Sequence, residues 1–378
     1  MKRVGLDSLP LLSNFPQGGG ISKYITPLFR HLISVDKSNA YFLFNRLFRK
    51  KSRQGLSHID NFGFPNLYLR NIYLPDRLLG SSLAEYFLYR GVDVFISTCY
   101  FTPRLKKTKV ISFIYDLIPL MTPTFDHKYR RIFSNLIKTT IQRSSLLLTI
   151  SENSKKDLVD YFNLNPDQIK VIYPAAESYF KPLNREEILP VLQKYGIDSE
   201  YILFVGIRGK HKNILGLINA FSKLKTKRRI SHKLVLCGRR DSSNGEVESQ
   251  IKDIMKANRL EKSVIFTGYV DDQELPAIYS GARIFVFPSF YEGFGMPVLE
   301  ALSCGLPCVV SERSSLPEIV NAAALTVNPD SQEELEEAIY KLISDENLRK
   351  DLEDKAIIQS QKFSWEKSAE KIRGIINS

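Results

Sequence analysis

Ile284 to Val310 reads IFVFPSFYEGFGMPVLEALSCGLPCVV, and the stretch spells out a strand, a loop, a helix and a second strand. Ile284 to Phe287 is a short apolar run with β-branched and aromatic residues, the composition of a buried parallel strand, and Pro288-Ser289 ends it. In the following loop, Gly293 and Gly295 let the backbone come close to a ligand. Pro297 suits the start of a helix, where its missing N–H costs nothing. That helix is expected to run to Ser303, with Gly305 as a left-handed cap and Pro307 barring continuation before the apolar run Cys308 to Val310.

Two acids stand out in this otherwise apolar unit: Glu292 in the loop and Glu300 eight positions on, expected in the first turn of the helix. A buried carboxylate needs donors, and sugar or ribose hydroxyls would supply them. The helix start, where N–H groups and the dipole favour an anion, would suit a diphosphate. Read alone, the motif also fits a dipole-stabilised Glu300 and a solvated Glu292.

The order Glu-Gly-Phe-Gly, Pro, Glu-Ala, Gly-x-Pro resembles the signature of the retaining nucleotide-sugar glycosyltransferases of family 4, which have the GT-B fold. By that resemblance, Glu292 and Glu300 are the two acids of an E-x7-E motif, the first meeting the transferred sugar and the second the ribose. Phe294, Gly295, Met296 and Pro297 would then lie beside sugar and phosphate.

Moving outward, Tyr201 to Val205 is another continuous apolar strand, followed by Gly206, Arg208, Gly209, Lys210, His211, Lys212 and Asn213 and by an amphipathic helix from Ile214. Cations at a helix start oppose its dipole, so an anion bound between them is one explanation and a solvated turn the other. The resemblance assigns Arg208 and Lys212 to the donor diphosphate, although some relatives carry the Arg where His211 stands. It also places Tyr269 and Val270, after the strand Val264 to Gly268, beside the nucleobase. Ser364 is expected to cap a closing helix, which the resemblance implies crosses back onto the first domain.

Toward the start of the chain, Gln17-Gly18-Gly19-Gly20 precedes a helical pattern over Tyr24 to Leu32. Such a run is either a plain surface loop or a close approach to phosphate; by the resemblance Gly19 and Gly20 belong to a loop lining the interdomain cleft and bind the donor diphosphate with Arg208 and Lys212. Strands are expected at Tyr41–Asn45, Val92–Ser97, Val110–Tyr115, Leu146–Ile150 and 170–174. Ser151 is expected to cap the helix that follows the fourth of these. Asp116, before Leu117-Ile118-Pro119, is a candidate for the catalytic set or for a turn. Many relatives have His where this chain has Tyr115, leaving Tyr115 and Asp116 as the cleft-lining candidates.

Length and charge bound the rest. The 378 residues suit two domains, here 1–178 joined by 365–378, and 179–364. The start lacks the apolar core of a signal peptide and no run approaches a membrane span, so a cytoplasmic protein is expected. Cys99, Cys237, Cys304 and Cys308 lack zinc-site spacing and read as reduced core thiols. Net charge is +12, and residues 1 to 180 carry all of it, with 25 Lys plus Arg against 13 Asp plus Glu. This asymmetry fits an anionic membrane surface or acidic acceptor, or an ordinary solvated face. No nucleic-acid-binding motif accompanies it.

The sequence thus points to an α/β protein of GT-B type, two Rossmann-like domains with parallel sheets facing across a cleft. The expected activity is retaining transfer of a hexosyl group, mannosyl foremost, from a nucleoside-diphosphate sugar to a glycan or lipid-linked acceptor. No metal site and no cofactor beyond the nucleotide-sugar co-substrate are expected. A GT-B epimerase or phosphorylase-like enzyme and an inactive anionic-surface binder are the alternatives.

Overall fold

The structure is a computed structural model that describes residues 1–8, 20–46, 63–72, 88–98, 102–240 and 245–378. The chain divides into two compact units, Met1–Pro174 with Ser364–Ser378, and Ala175–Phe363.

The first unit is built on a parallel sheet of β1 (Arg3–Asp7), β2 (Ala40–Arg46), β3 (Leu67–Ile72), β4 (Val94–Ser97), β5 (Lys109–Phe113), β6 (Leu146–Thr149) and β7 (Ile169–Val171), ordered 3-2-1-4-5-6-7. β1 is central because Val4 and Leu6 are buried and Gly5 leaves room for its neighbours' rings. A Cβ at Gly5 would lie 2.7 Å from Phe95 and 2.9 Å from Phe44. The helix Gly20–Val35 buries Tyr24, Ile25, Leu28, Phe29, Leu32 and Ile33. Against it lies the closing helix Trp365–Asn377, capped by Ser364 and burying Trp365, Ala369, Ile372 and Ile376. Lys2 Nζ donates to the Ile376 carbonyl at 2.6 Å and Lys109 Nζ to that of Ile375 at 3.1 Å, placing two cations at the negative end of this helix.

The helix His127–Arg143, capped by Asp126, turns Phe133, Ile137 and Thr140 inward. Phe133 and Ile137 join a core cluster with Leu120, Leu147 and Leu158. Tyr129, Ile132 and Leu136 stay 47%, 49% and 41% exposed. The apolar side of the helix is therefore split between core and surface, beside exposed Lys128, Arg131 and Lys138.

The second unit has a parallel sheet of β8 (Tyr201–Val205), β9 (Lys233–Cys237), β10 (Val264–Gly268), β11 (Ile284–Phe287), β12 (Cys308–Ser311) and β13 (Ala324–Val327), ordered 10-9-8-11-12-13. The four residues of β11 are all buried, as a strand covered on both faces requires. Strand order reverses between β8 and β11. In open parallel sheets that reversal leaves a crevice at the carboxyl ends of the strands.

Candidate functional site

The loops on either side of that reversal are the two stretches singled out in the sequence, Gly206 to Asn213 after β8 and Pro288 to Gly295 after β11. They are joined directly, since the Phe290 N–H donates to the His211 carbonyl at 2.8 Å. Beside this link, Lys212 Nζ donates to Glu292 Oε1 at 2.6 Å, with the two side chains only 14% and 8% exposed. The ammonium also sits 4.8 Å from the centre of the Phe287 ring.

The Glu292 loop is pinned from the turn after β12. The Glu292 N–H donates to Ser314 Oγ at 3.0 Å, and Ser315 Oγ lies 2.6 Å from the Phe294 carbonyl and 3.0 Å from that of Glu292, donating between them. Gly295, at φ +114°, occupies backbone space that side chains avoid, and a Cβ there would lie 2.6 Å from Leu316 Cδ2. The Phe294 ring is turned into the core against Phe363, centroids 5.6 Å apart, and the residue is buried.

The helix that follows is Met296–Ser303, with Pro297 as its second residue. It ends as the sequence suggests. Gly305 has φ +70°, its N–H donates to the Leu302 carbonyl, and the Leu306 N–H reaches that of Ala301, the two bonds of a Schellman motif. One expectation is corrected: Glu300 lies in the second turn, because the helix begins at Met296. At the helix start the Val298 N–H is taken by the Gly295 carbonyl at 2.9 Å.

Glu300 is buried, and Tyr279 donates its hydroxyl to Oε2 at 2.8 Å. Burial first, and then the Glu300 carboxylate, push the Tyr279 phenol far above its ordinary pKa, so it remains a donor. The same two causes raise the Cys304 thiol to about 12. Val270 is buried and Tyr269 exposed, with the Arg239 guanidinium 4.7 Å from the Tyr269 ring centre. Arg239 was not singled out from the sequence, where it reads as one more basic turn residue. Its Nη2 is nevertheless buried at the carboxyl end of β9, with no hydrogen-bond partner among the described residues.

Arg208 is placed differently from Lys212. It is buried, donating from Nε to Glu248 Oε1 at 2.8 Å and from Nη1 to the Gly238 carbonyl at 2.9 Å, with the Phe266 ring 5.1 Å away. The structure therefore brings Lys212 to Glu292 and holds Arg208 on the β9 side of the loop. A cation flanked by a carboxylate and a strand-end carbonyl has its charge compensated already.

In the first unit, Gly19 lies outside the described residues and Gly20 is the exposed first residue of its helix. Asp116 Oδ1 accepts from the Ile118 N–H at 3.0 Å, an Asx turn opening the helix Ile118–Met121. Tyr115, offered as cleft-lining, has its ring buried against Tyr24 and Phe113, and its hydroxyl donates to the Thr98 carbonyl at 2.6 Å. An aromatic ring next to a βα turn packs inward where the core has room for it.

Among the described residues, no group of three or more His, Cys, Asp or Glu is arranged to hold a metal ion, and no helix is long and apolar enough to cross a membrane. Residues 185–359, which contain both loops and both acids, match the family described as Glycosyl transferases group 1. O-antigen chain mannosyltransferase B of Escherichia coli is 34% identical over 282 residues, 74% of this chain and 71% of that protein. The serotype-specific mannosyltransferase WbdA of Escherichia coli is 30% identical over 267 residues, 69% of this chain but 32% of its own length, so the chain spans about a third of that relative. In fold, the chain matches Anabaena Alr3699/HepE, solved with UDP and glucose, with a TM-score of 0.73 at 17% identity, covering 100% of both chains. Two parallel sheets of seven and six strands, with that likeness across the whole chain, make the fold GT-B. With 34% identity extending over 71% of one relative, and a family match that includes the loops at the strand-order reversal, the chain belongs to the group 1 glycosyl transferases.

Proposed function

We propose that this protein is a retaining, family 4 glycosyltransferase that moves a hexosyl group, mannosyl foremost, from a nucleoside-diphosphate sugar to a glycan or lipid-linked saccharide in cell-surface polysaccharide synthesis. The observation that carries this reading is the pair of half-buried Lys212 and buried Glu292 at the strand-order reversal of the second unit. A paired carboxylate and ammonium in a crevice of that kind can be shared with a ligand, the ammonium with a diphosphate and the carboxylate with sugar hydroxyls. Glu300 then accepts from the ribose, Tyr269 and Val270 border the base, and Phe294 to Pro297 line the sugar and phosphate with backbone. Arg208 braces its loop through Glu248 and the Gly238 carbonyl with two of its five N–H donors, and the remaining donors serve the diphosphate. The mannosyltransferase names of the relatives support mannose, hence GDP-mannose, as the first donor to try.

Charge developing on the leaving diphosphate is met by Lys212 and the Met296–Ser303 helix start, preorganised groups that do the work a divalent ion does elsewhere. Glu292 orients the sugar and stabilises its positive charge while departure and attack occur on one face. A double displacement through a carboxylate is the other route to retention. The first unit takes the acceptor, and its basic helix His127–Arg143, with Tyr129, Ile132 and Leu136 exposed, rests on anionic lipid. In the same reading Asp116 belongs to the catalytic set and Gly19 and Gly20 bind the donor diphosphate.

A thermal-shift and turnover screen of GDP-mannose, other GDP- and UDP-sugars and dTDP-sugars, with and without chelator, tests the proposal. The expected result is stabilisation by one nucleotide class and transfer that persists in chelator. Activity lost in chelator and restored by Mg²⁺ would overturn the metal-independent account. Isomerisation of the donor with no acceptor present would favour an epimerase.

A further inference from the structure

The carboxylate assigned to the ribose is itself held by a residue to which the proposed reaction gives no role. Tyr279 is fully buried on the short helix Leu275–Ser280 and packs its ring edge-on against Phe285 of β11, centroids 5.6 Å apart, and against Phe180, 6.0 Å away. Its hydroxyl meets Glu300 Oε2 at 2.8 Å. A ring wedged between two others cannot swing, so the hydroxyl is a fixed point on which the carboxylate plane is set. The helix that carries Tyr279 also follows Tyr269 and Val270, the base-side residues, after one short turn.

We propose that Tyr279 is the positioning residue for nucleotide recognition: by anchoring one carboxylate oxygen it sets the orientation in which Glu300 accepts from the ribose hydroxyls, and it ties that orientation to the base-side segment. The inference rests on the assignment of Glu300 to the ribose. A buried hydroxyl with no catalytic task is more often a device that settles a core polar group, and the two roles differ in what they do to different ligands. A settling role affects every nucleotide alike through the stability of the fold. A positioning role affects only ligands that carry the hydroxyls Glu300 receives.

The test is calorimetric binding of GDP and UDP, and of their 2′,3′-dideoxy counterparts, to the full chain and to Tyr279→Phe, Glu300→Ala and the double variant. Tyr279→Phe is expected to weaken the ribonucleotide that binds by about three- to tenfold, the range for one lost hydrogen bond, and to leave its dideoxy counterpart unchanged. In the Glu300→Ala background the same change should cost nothing further, because the group it acts through is gone. Equal weakening of the ribo and dideoxy forms would show a merely structural role and overturn the proposal. So would unaltered ribonucleotide binding in Tyr279→Phe when Glu300→Ala does weaken it. If Glu300→Ala leaves both forms unaffected, the ribose assignment fails first and the proposal falls with it. The dideoxy ligand also serves as the control for folding, since a loosened domain would lose both.

Discussion

Lys212 and Lys210 are two residues apart on one loop, yet their surroundings predict very different costs of removal. Lys210 pairs with Glu246 at 2.7 Å with both side chains well exposed, so Lys210→Ala should cost less than about 1 kcal/mol. Lys212→Ala leaves the buried Glu292 carboxylate without its half-buried partner and should cost about 1.5–3 kcal/mol of stability, the range for a hydrogen bond to a charged group. It should also weaken nucleoside-diphosphate binding, whereas Glu292→Gln should mainly lower turnover. Urea denaturation of the three variants, with nucleotide titrations, checks the ranking; equal effects of Lys210→Ala and Lys212→Ala would contradict it. The cysteines allow a second check. Burial raises the Cys304 thiol to about 12 and the Cys308 thiol further, so both stay protonated and enclosed near neutral pH. Iodoacetamide at pH 8 should modify them only after unfolding, and peptide mapping that found either labelled in the native protein would contradict this.

At the scale of elements, local punctuation made some boundaries legible and the absence of it hid others. Pro297, Gly305 and Pro307 bracket a helix by backbone chemistry that acts within a few residues, and the caps at Ser151 and Ser364 are equally local. By contrast β1, Arg-Val-Gly-Leu-Asp, carries charge at both ends and a glycine at its centre, and nothing in five residues says that it is an interior strand of a sheet, paired on both edges. β3, mostly exposed, and β13 are strands only because β2 and β12 offer them parallel partners. The helix His127–Arg143 shows the same limit, since its apolar residues read as one stripe and only packing divides them. That division yields a prediction. Ile132→Ser with Leu136→Ser should barely change the melting temperature, because both side chains are already exposed. It should reduce binding to vesicles containing anionic lipid by about threefold or more. Salt should release the parent protein, and neutral vesicles should not hold it. Sedimentation across a salt series reads all three, and no binding of the parent to anionic vesicles at low salt would leave the positive charge as a solvated surface.

At the scale of the whole molecule, the last helix completes a unit begun at the first residue. Ending the chain at Phe363 would remove Trp365, Ala369, Ile372 and Ile376 from a core they help to fill, the three larger side chains at about 1.5–3 kcal/mol each. Limited proteolysis should then cut first within Met1–Pro174, while Ala175–Phe363 keeps its resistance and the nucleotide binding proposed for it. A first unit as resistant as in the full chain would refute this. The sequence alone determined what depends on neighbours along the chain: alternating strands and helices, the Gly and Pro that end them, two acids eight positions apart on a loop and helix, and a positive first half. Only the tertiary structure decided the order of the strands, and with it that the Lys212 and Glu292 loops adjoin at the reversal. It also decided that Arg208 turns to Glu248, that the Tyr115 ring is spent on the core, and that Tyr279 reaches Glu300. The physical reason is that a long side chain has several partners within reach of its rotamers. Which one it takes is set by groups brought near from distant parts of the chain, and no local pattern of residues records them.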